Sequence, residues 1–379
     1  MKGSLVSMRP DDLAAQMVRA ALEKVPALNP HQIDDLILGC GLPGGESGFN
    51  MARIVAIELG YDFLPGTTVN RYCSSSLQTT RMAFHAIKAG EGDTYIAAGV
   101  EAVSRAGGGA QFEFNKALDG SEGSLYNVYI PMGLTAENVA ERCNVSRQSQ
   151  DEWAVVSQSR AVAAQESGHY DSEIVPVTVP AHKDVDKEGK EIDVPETVVT
   201  KDDGPRAGTT LEKLSQLRPA FRPDGTVTAG NACPLNDGAA ALLVMSEERA
   251  GELGLTPKVR IIASTVAAIR PEIMGLGPIP AIERLLAQTK MSIEDIDVVE
   301  INEAFAAQIV PCMEDLKIPE DKLNPFGGAI ALGHPFGMTG ARIMTTLIND
   351  LQTLDGTYGI ESMCVAGGMG MAMLVERLS

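Results

Sequence analysis

Apolar residues recur along the chain at two different periods, and the alternation of these periods predicts an α/β fold. Helical spacing covers residues 11–22, 75–88, 303–316 and 339–351. Short runs rich in apolar or β-branched residues, which are typical of strands, cover residues 36–38, 67–69, 94–98, 298–301, 360–365 and 371–375. Between the two series lie two more predicted helices, 135–142 and 149–167, and a charged stretch, 181–196. The sequence therefore predicts two α/β halves that flank an inserted, largely surface segment.

The two halves repeat one local order of elements. In the first half a helix ends at Gly90 and the next strand ends at Gly99, and in the second half Gly356 and Gly367 follow a helix and a strand in the same way. This order fits an internal duplication. It fits two unrelated α/β units equally well, so both interpretations stay open.

Composition narrows the class of function. The 379 residues include 31 Lys and Arg against 50 Asp and Glu, a formal charge of −19, and only 4% are aromatic. An acidic chain with few aromatic rings is poorly suited to the phosphates and the stacked bases of a nucleic acid. No apolar run approaches the ~18 residues of a membrane span, and the first ten residues lack the apolar core of a signal peptide. We therefore expect a cytoplasmic protein that binds no nucleic acid and spans no membrane.

The six cysteines stand singly, with no CxxC pair, so we expect neither disulfides nor zinc to hold the chain together. Cys73 directly follows an apolar strand and precedes a helix, and the small side chains of Ser74, Ser75 and Ser76 leave its sulfur approachable. At a helix N-terminus the unpaired amides and the dipole favour a thiolate, which predicts a pKa below the free value of ~8.5. An inert buried cysteine is the alternative, and position alone favours it.

Three more residues stand where an α/β fold presents side chains to a ligand. His334 lies among five glycines, whose backbone lets a ligand approach closely, and neither a GxGxxG fingerprint nor a Walker lysine accompanies it. Cys364 ends an apolar strand before a glycine turn. Asn302 follows a buried strand, at the edge where open α/β sheets bind ligands, although it could instead cap a helix. Two thiols and a histidine together predict nucleophilic and acid/base chemistry.

Four motifs in this order, VNRYCSSS, NEAFAA, GGAIALGHPFGMTG and CVAGGMG, resemble those of the thiolase family of acyl-CoA acyltransferases. The resemblance covers essentially the whole chain. It implies two similar α/β halves in a five-layer αβαβα arrangement, with an inserted loop domain that receives coenzyme A. Mapped onto this chain, the N-terminal half is 1–105 and 236–256, the loop domain is 106–235, and the C-terminal half is 257–379.

The resemblance also implies a role for each candidate residue. Cys73 is the nucleophile that takes up the acyl group as a thioester, and His334 helps to keep it a thiolate. Cys364 is the acid/base that protonates the departing acetyl-CoA enolate and deprotonates the second coenzyme A. His334 and a water held by Asn302 stabilise the enolate, and the N–H groups of Cys73 and Ala366 stabilise the tetrahedral intermediate, since each such donor is typically worth ~10²–10³ in rate.

The remaining site residues implied by the resemblance bind the cosubstrate. Coenzyme A is expected as cosubstrate, with no permanently bound cofactor and no metal. Arg206 matches a nucleotide contact, and Cys233 stands where a serine that contacts coenzyme A is usual. Met132, Ala304 and Phe305 match positions that line the acyl and pantetheine pocket, although apolar residues there could equally be core.

Several positions depart from the family pattern. Ser76 and Ala366 stand where glycines are usual, and the Ala366 N–H can serve as a donor only if its backbone angles suit an L-residue. Family members also open with a buried strand before the equivalent of Gly3 to Arg9, which is missing here. We therefore expect either a start codon further upstream or a truncated product.

The direction of the reaction depends on a further departure. Pro131 stands where short-chain biosynthetic members have a histidine, which favours thiolytic cleavage of 3-oxoacyl-CoA in fatty acid β-oxidation. The alternatives are a biosynthetic acetyl-CoA acetyltransferase, a ketoacyl synthase, which Cys364 disfavours, and a catalytically impaired relative that binds acyl-CoA. The family also implies a homodimer or homotetramer.

Overall fold

The computed structural model describes residues 3–106, 113–186 and 188–379. The strands are β1 (Asp35–Gly39), β2 (Gly66–Val69), β3 (Thr94–Ala102), β4 (Val177–Val179), β5 (His182–Val185), β6 (Glu191–Val194), β7 (Thr197–Val199), β8 (Asp237–Met245), β9 (Val259–Ala268), β10 (Val298–Ile301), β11 (Tyr358–Val365) and β12 (Met369–Arg377). The α-helices are α1 (Pro10–Glu23), α2 (Met51–Glu58), α3 (Ser75–Ala89), α4 (Met132–Cys143), α5 (Arg147–Ser167), α6 (Leu211–Ser215), α7 (Glu247–Glu252), α8 (Pro278–Thr289), α9 (Ala306–Leu316), α10 (Ala329–Leu332) and α11 (Thr339–Thr353).

Two four-stranded sheets form the frame, with strand orders β2-β1-β3-β8 and β10-β11-β12-β9. In the first sheet β1 runs parallel to β3, and β3 pairs with antiparallel β8. In the second, β10 runs parallel to β11, and β11 pairs with antiparallel β12. The same parallel-then-antiparallel order in both sheets supports the interpretation of the chain as an internal duplication.

The sheets differ at both edges. Strand β2 flanks β1, whereas no strand of the described residues takes the corresponding place beside β10. Strand β12 is flanked by β9, whereas no strand of the described residues takes the corresponding place beside β8. A cavity of about 1660 Å³ lies there, lined by β8 along its whole length and by parts of α1 and α11. Most residues of β8 are consequently half-buried, whereas those of β12 are mostly buried.

Helices α3 and α11 pack against each other between the two sheets, while α1 and α2 cover the outer face of the first sheet and α8 covers that of the second. The stack is the five-layer αβαβα arrangement expected. The central layer is tight, because a Cβ on Gly340 would lie 2.2 Å from the Leu77 nitrogen. Gly99 likewise allows close packing, because a Cβ there would lie 2.2 Å from the Gly337 carbonyl oxygen. Gly99 lies inside β3 and does not end it. The prediction that β3 ends at Gly99 is therefore wrong.

The paired strands β3 and β8 are separated in sequence by a long segment. It carries α4, α5, α6 and two small antiparallel sheets of two strands each, β4 with β7 and β5 with β6. The charged stretch 181–196 forms the mostly exposed hairpin of β5 and β6, apart from Lys187, which lies outside the described residues. Within the described part of the chain, no helix is both long and apolar enough to cross a bilayer.

An unusual pair of carboxyl groups lies between the second sheet and α11. Glu361 on β11 is in register with Glu300 on β10, and both are buried. Neither carboxyl oxygen of Glu361 has a hydrogen-bond partner among the described residues. Burial raises the pKa of Glu361 well above its usual range, and the positive charge of Arg342 offsets this only in part. The folded chain therefore holds the Glu361 proton to higher pH than the unfolded chain does, so the stability that this group contributes falls as pH rises above the unfolded pKa.

From the buried pair we predict that Glu361→Gln raises the free energy of unfolding relative to the wild type by an amount that increases with pH. Above the ordinary carboxyl pKa, about 4.3, the wild-type free energy of unfolding should fall by up to about 1.4 kcal/mol per pH unit from this group, and the amide removes that slope. Urea unfolding from pH 5 to 8 should therefore show the variant gaining on the wild type as pH rises. The exposed Glu248→Gln is the matched control and should show no such trend. A difference between E361Q and wild type that does not change with pH would contradict this.

Candidate active site

A strained turn presents Cys73 at the start of α3. Tyr72, directly before it, has φ of +45°, a conformation that costs a bulky residue of order 1–3 kcal/mol. Local side chains hold the turn: Asn70 Oδ1 accepts the Tyr72 N–H at 2.7 Å, and Ser75 Oγ accepts the Arg71 N–H at 2.9 Å and donates to the Tyr72 carbonyl at 2.6 Å. The predicted place of Cys73 at a helix N-terminus is confirmed.

The electrostatics of Cys73 differ from the sequence-based expectation. Burial raises the pKa of its thiol to about 11, and the N–H groups of Ala366 and of Cys73 itself, which point at the sulfur, lower it only in part. The predicted pKa below the free value is therefore wrong, because desolvation outweighs the helix amides. At rest the structure favours the neutral thiol.

We expect this protonation state to appear in alkylation kinetics. Because only the thiolate reacts and the pKa of Cys73 is about 11, its rate with iodoacetamide should rise about tenfold per pH unit from pH 7 to 9 without levelling off. Quenched samples would be digested and the peptide containing Cys73 quantified by mass spectrometry. A rate that reaches a plateau below pH 8 would mean that the resting sulfur is a thiolate.

Cys364 and Cys233 bring two more thiols to Cys73. Cys364 is fully buried near the end of β11, and the Cys233 N–H bonds to the Ala304 carbonyl at 3.1 Å. Burial is the first cause and the charge of Cys73 the second cause that raise the pKa of each thiol. Three sulfurs are thus within electrostatic range of one another in a site shielded from water.

The turn after Cys364 accommodates the alanine that replaces a glycine. The left-handed angles fall on Gly367, with φ of +77°, and on Gly368, with φ of +80°. Ala366 is not in the left-handed region and carries no strain of that kind. Its N–H remains directed at the Cys73 sulfur.

His334 lies on the loop between α10 and α11, which packs against the turn of Cys73. A Cβ on Gly41 would touch both the Phe336 side chain and the Tyr72 carbonyl, and the Ala341 N–H bonds to Ser76 Oγ at 2.9 Å. The imidazole is buried, and its Nε2 has no hydrogen-bond partner among the described residues. Burial first, and the charge of Arg342 second, lower the pKa of His334 to about 3.

Asn302 directly follows β10, and its N–H bonds to the Ser362 carbonyl at 2.9 Å, which places it beside β11. Its amide is buried, and neither the nitrogen nor the oxygen of the side chain has a partner among the described residues. Helix α9 begins only at Ala306, with Phe305 as its N-cap, so the predicted start at residue 303 and the helix-cap alternative for Asn302 are wrong. A free buried amide of this kind can hold a water or a ligand oxygen.

The apolar candidates form a wall beside these polar groups. Ala304 and Phe305 are buried, and Phe305 contacts the Phe221 ring edge-on at 6.1 Å. Phe221 in turn fills the space above Gly133 at the start of α4, next to Met132. Arg206 is different: it is exposed, and its loop is tied to α5 by an N–H bond to Gln158 Oε1 at 2.8 Å. Among the described residues, no hydrogen bond or ion pair joins Arg206 to the thiols.

Two buried carboxylates that the sequence analysis missed organise the site loops. Glu101 accepts the N–H groups of Gly41 and Gly337, both at 2.8 Å. Glu303 accepts from Trp153, Ser157 and Asn324 side chains and from the Ile330 N–H. Glu101 could have been found from the sequence, because it is an acidic residue inside an otherwise largely apolar strand. The described residues contain no group of three or more His, Cys, Asp or Glu that could hold a metal ion.

Comparisons with known proteins match this chain to one family. The families described as "Thiolase, N-terminal domain" and "Thiolase, C-terminal domain" match residues 1–248 and 255–377. The chain is 44% identical over 394 residues to the β-ketoadipyl-CoA thiolase of Acinetobacter baylyi, covering 99% of this chain and 96% of the relative.

Two solved structures agree in fold. One is the Bacillus anthracis acetyl-CoA acetyltransferase, with a TM-score of 0.87, 39% identity and coverage of 99% of this chain and 94% of that one. The other is human mitochondrial 3-ketoacyl-CoA thiolase, with a TM-score of 0.87, 34% identity and coverage of 98% and 94%. Both family matches together span nearly the whole chain, and the chain belongs to the thiolase family of acyltransferases.

Proposed function

We propose that the protein cleaves 3-oxoacyl-CoA with coenzyme A, giving acetyl-CoA and an acyl-CoA shortened by two carbons, through an acyl-Cys73 thioester. One observation carries the proposal: the buried Cys73 sulfur is faced by two backbone N–H groups, its own and that of Ala366, and interacts with the Cys364 thiol. This arrangement supplies a nucleophile, donors for a developing oxyanion, and a second proton carrier.

In the first half-reaction, the Cys73 S–H bond breaks, its proton moves to His334, and the sulfur forms a bond to the 3-oxo carbon. The Cα–Cβ bond of the substrate then breaks, and its electron pair leaves as the acetyl-CoA enolate, which takes the proton of Cys364. His334 and a water on the free Asn302 amide stabilise the enolate oxygen.

In the second half-reaction, the Cys364 thiolate removes the proton of a new coenzyme A thiol. The coenzyme A sulfur attacks the thioester carbon, the bond to Cys73 breaks, and the released thiolate regains a proton from His334. The N–H groups of Cys73 and Ala366 hold the oxyanion of the tetrahedral intermediate. No redox partner is needed, since only acyl groups and protons move.

The remaining residues would bind the cosubstrate. Met132, Ala304 and Phe305 offer an apolar wall for the acyl and pantetheine groups, Cys233 lies beside them, and Arg206 is an exposed cation for the nucleotide phosphates. We assign this binding to the segment 106–235, inserted between the N-terminal half (1–105 and 236–256) and the C-terminal half (257–379).

A biosynthetic direction is the second candidate, because the same groups run the reaction in reverse, and a solved neighbour is named an acetyl-CoA acetyltransferase. Another relative is named a β-ketoadipyl-CoA thiolase, whose name points to an acyl chain with a second carboxylate. Pro131 favours the degradative direction and a role in fatty acid β-oxidation. The proposal also includes a cytoplasmic homodimer or homotetramer.

The test is a thiolysis assay with the purified full chain over 3-oxoacyl-CoA substrates of graded length, with 3-oxoadipyl-CoA and the condensation of acetyl-CoA as further arms. We expect coenzyme A-dependent loss of 3-oxoacyl-CoA with matching acetyl-CoA. The length preference distinguishes the degradative from the biosynthetic reading. Stoichiometric binding of acyl-CoA without turnover in any arm would favour a binding protein.

A further inference from the structure

One hydroxyl next to the imidazole has no part in the function proposed above. Thr339 is the first residue of α11 and is fully buried. Its Oγ1 lies 2.7 Å from His334 Nδ1 and also 2.7 Å from the Pro335 carbonyl oxygen. Both contacts are short enough to require a hydrogen between the two heavy atoms, since bare oxygen and nitrogen lone pairs would repel at this distance.

The two contacts fix which atom donates in each. A hydroxyl carries one hydrogen, whereas a carbonyl oxygen can only accept. The Thr339 hydrogen must therefore point at Pro335, and the hydroxyl oxygen is left to accept at its other contact. The proton of that contact then belongs to His334 Nδ1, and Nε2 of the neutral ring carries a lone pair.

The surroundings keep the ring in this neutral form at rest. His334 is buried, and Arg342 on the same helix as Thr339 places a positive charge near it. The free Nε2 is the one ring atom without a partner among the described residues. A buried imidazole with an open Nε2 lone pair can accept a proton but has none to lose there.

The same helix also ties the ring to the nucleophile. The Ala341 N–H, two residues after Thr339, bonds to Ser76 Oγ in the first turn of α3, which follows Cys73 directly. Gly340 lets α11 approach Leu77 of α3 without a clash. The hydroxyl that orients the imidazole is thus anchored to the helix that follows the turn of Cys73.

We propose that Thr339 is a positioning residue, whose hydroxyl holds the His334 proton on Nδ1 and so leaves Nε2 as the base that takes the proton of Cys73. In the acylation step the Cys73 S–H bond breaks and an Nε2–H bond forms. The sulfur electron pair forms the bond to the 3-oxo carbon, and the carbonyl π pair moves onto oxygen. The Nδ1–H group of His334 keeps donating its hydrogen bond to Thr339 Oγ1, and this bond stabilises the imidazolium. The inference rests on the proposed function for its kinetic arm only.

The first test needs no activity. Selective ¹⁵N-histidine labelling of the full chain gives signals from only five histidines, and His334→Asn assigns the one of interest. We expect pyrrole-like Nδ1 and pyridine-like Nε2 at neutral pH in the wild type. A proton on Nε2 would overturn the proposal, and this result stands even if no thiolysis is found.

The second test compares Thr339→Val, which keeps the shape but lacks the hydroxyl, with Thr339→Ser, which keeps the hydroxyl. Rapid quenching with a 3-oxoacyl-CoA should show acylation of Cys73 slowed by about 10- to 100-fold in T339V, with KM for coenzyme A little changed, and rescued in T339S. Thr345→Val removes another α11 hydroxyl, one bonded to a helix carbonyl, and is the matched control.

Equal acylation rates in T339V and wild type would overturn the proposal, as would a T339S variant as slow as T339V. If T339V does not fold, by circular dichroism and thermal unfolding, the tautomer of the wild type and the rate of T339S decide. Failure of the wild type to acylate at all would refute the proposed function and leave the ¹⁵N result to judge the role of Thr339.

Discussion

Replacing Cys73 by serine is expected to lower thiolysis by about 10⁴-fold or more. The hydroxyl keeps the size and the two N–H donors, but an alcohol is a far weaker nucleophile than a thiol and holds its proton more tightly. The buried site gives no charged neighbour that would compensate, because the imidazole already has a low pKa of about 3. Steady-state thiolysis and acyl-enzyme formation should both be lost.

Cys143→Ser is the matched control for this variant. Cys143 is a free, half-buried cysteine at the C-terminal end of α4. Its replacement should leave thiolysis within about twofold, since Cys143 is not among the groups that act on the Cys73 thiol. A C73S enzyme that keeps more than a few per cent of the wild-type kcat would refute covalent catalysis at this residue.

Replacing Cys364 by alanine is expected to have the second-largest effect, a loss of about 10²–10⁴-fold in turnover, the range for a general acid/base. The two variants should fail differently. Without Cys364 the nucleophile is intact, so a slow first half-reaction can still load Cys73, but no group then removes the proton of the incoming coenzyme A. We expect acyl-enzyme to accumulate in C364A and to be absent in C73S.

Rapid quenching followed by mass spectrometry of the intact chain measures this difference. A C364A enzyme that turns over normally would exclude Cys364 as the proton carrier. A C364A enzyme that never acylates, although folded, would show that Cys364 acts before or during the attack of Cys73 and would require a revised order of steps.

Local patterns were enough to locate the reactive residues along the chain. The predicted strand 67–69, the serines after Cys73 and the helical spacing up to residue 88 place the thiol at a helix start. The structure has the thiol there, although β2 is only partly buried. The strand before Cys364 and the loop around His334 follow from the same rules, because each depends on residues close in sequence.

What sequence did not predict depends on contacts between distant segments. The predicted direction of the Cys73 pKa shift is wrong because burial outweighs the helix amides. That burial involves distant segments such as β11, which packs against the turn of Cys73 and which no local window of sequence contains. The sequence predicts a strand end at Gly99. In the structure the lack of a side chain at Gly99 instead lets the Gly337 backbone, more than two hundred residues later in the chain, pack against β3. Glu101 was missed for the same reason, since its partner Gly337 N–H lies equally far along the chain.

The start of helix α9 shows why local sequence patterns do not fix the ends of helices. The apolar spacing from residue 303 is helical. Glu303, however, accepts four hydrogen bonds from α5, from the loop before α10 and from α10 itself, and the backbone at Phe305 stays extended. Because of these tertiary hydrogen bonds, α9 begins three residues later than predicted. Asn302 therefore does not cap the helix, and its side-chain amide has no partner among the described residues.

Acyl transfer through Cys73 is the central claim, and trapping the intermediate tests it most directly. The full chain would be mixed with a 3-oxoacyl-CoA in the absence of free coenzyme A, quenched in acid, digested and analysed by mass spectrometry. The account predicts the acyl mass on the peptide that contains Cys73, and its disappearance when coenzyme A is added before the quench. Acyl mass on Cys364 or Cys233, or thiolysis without any acyl-Cys73, would contradict it.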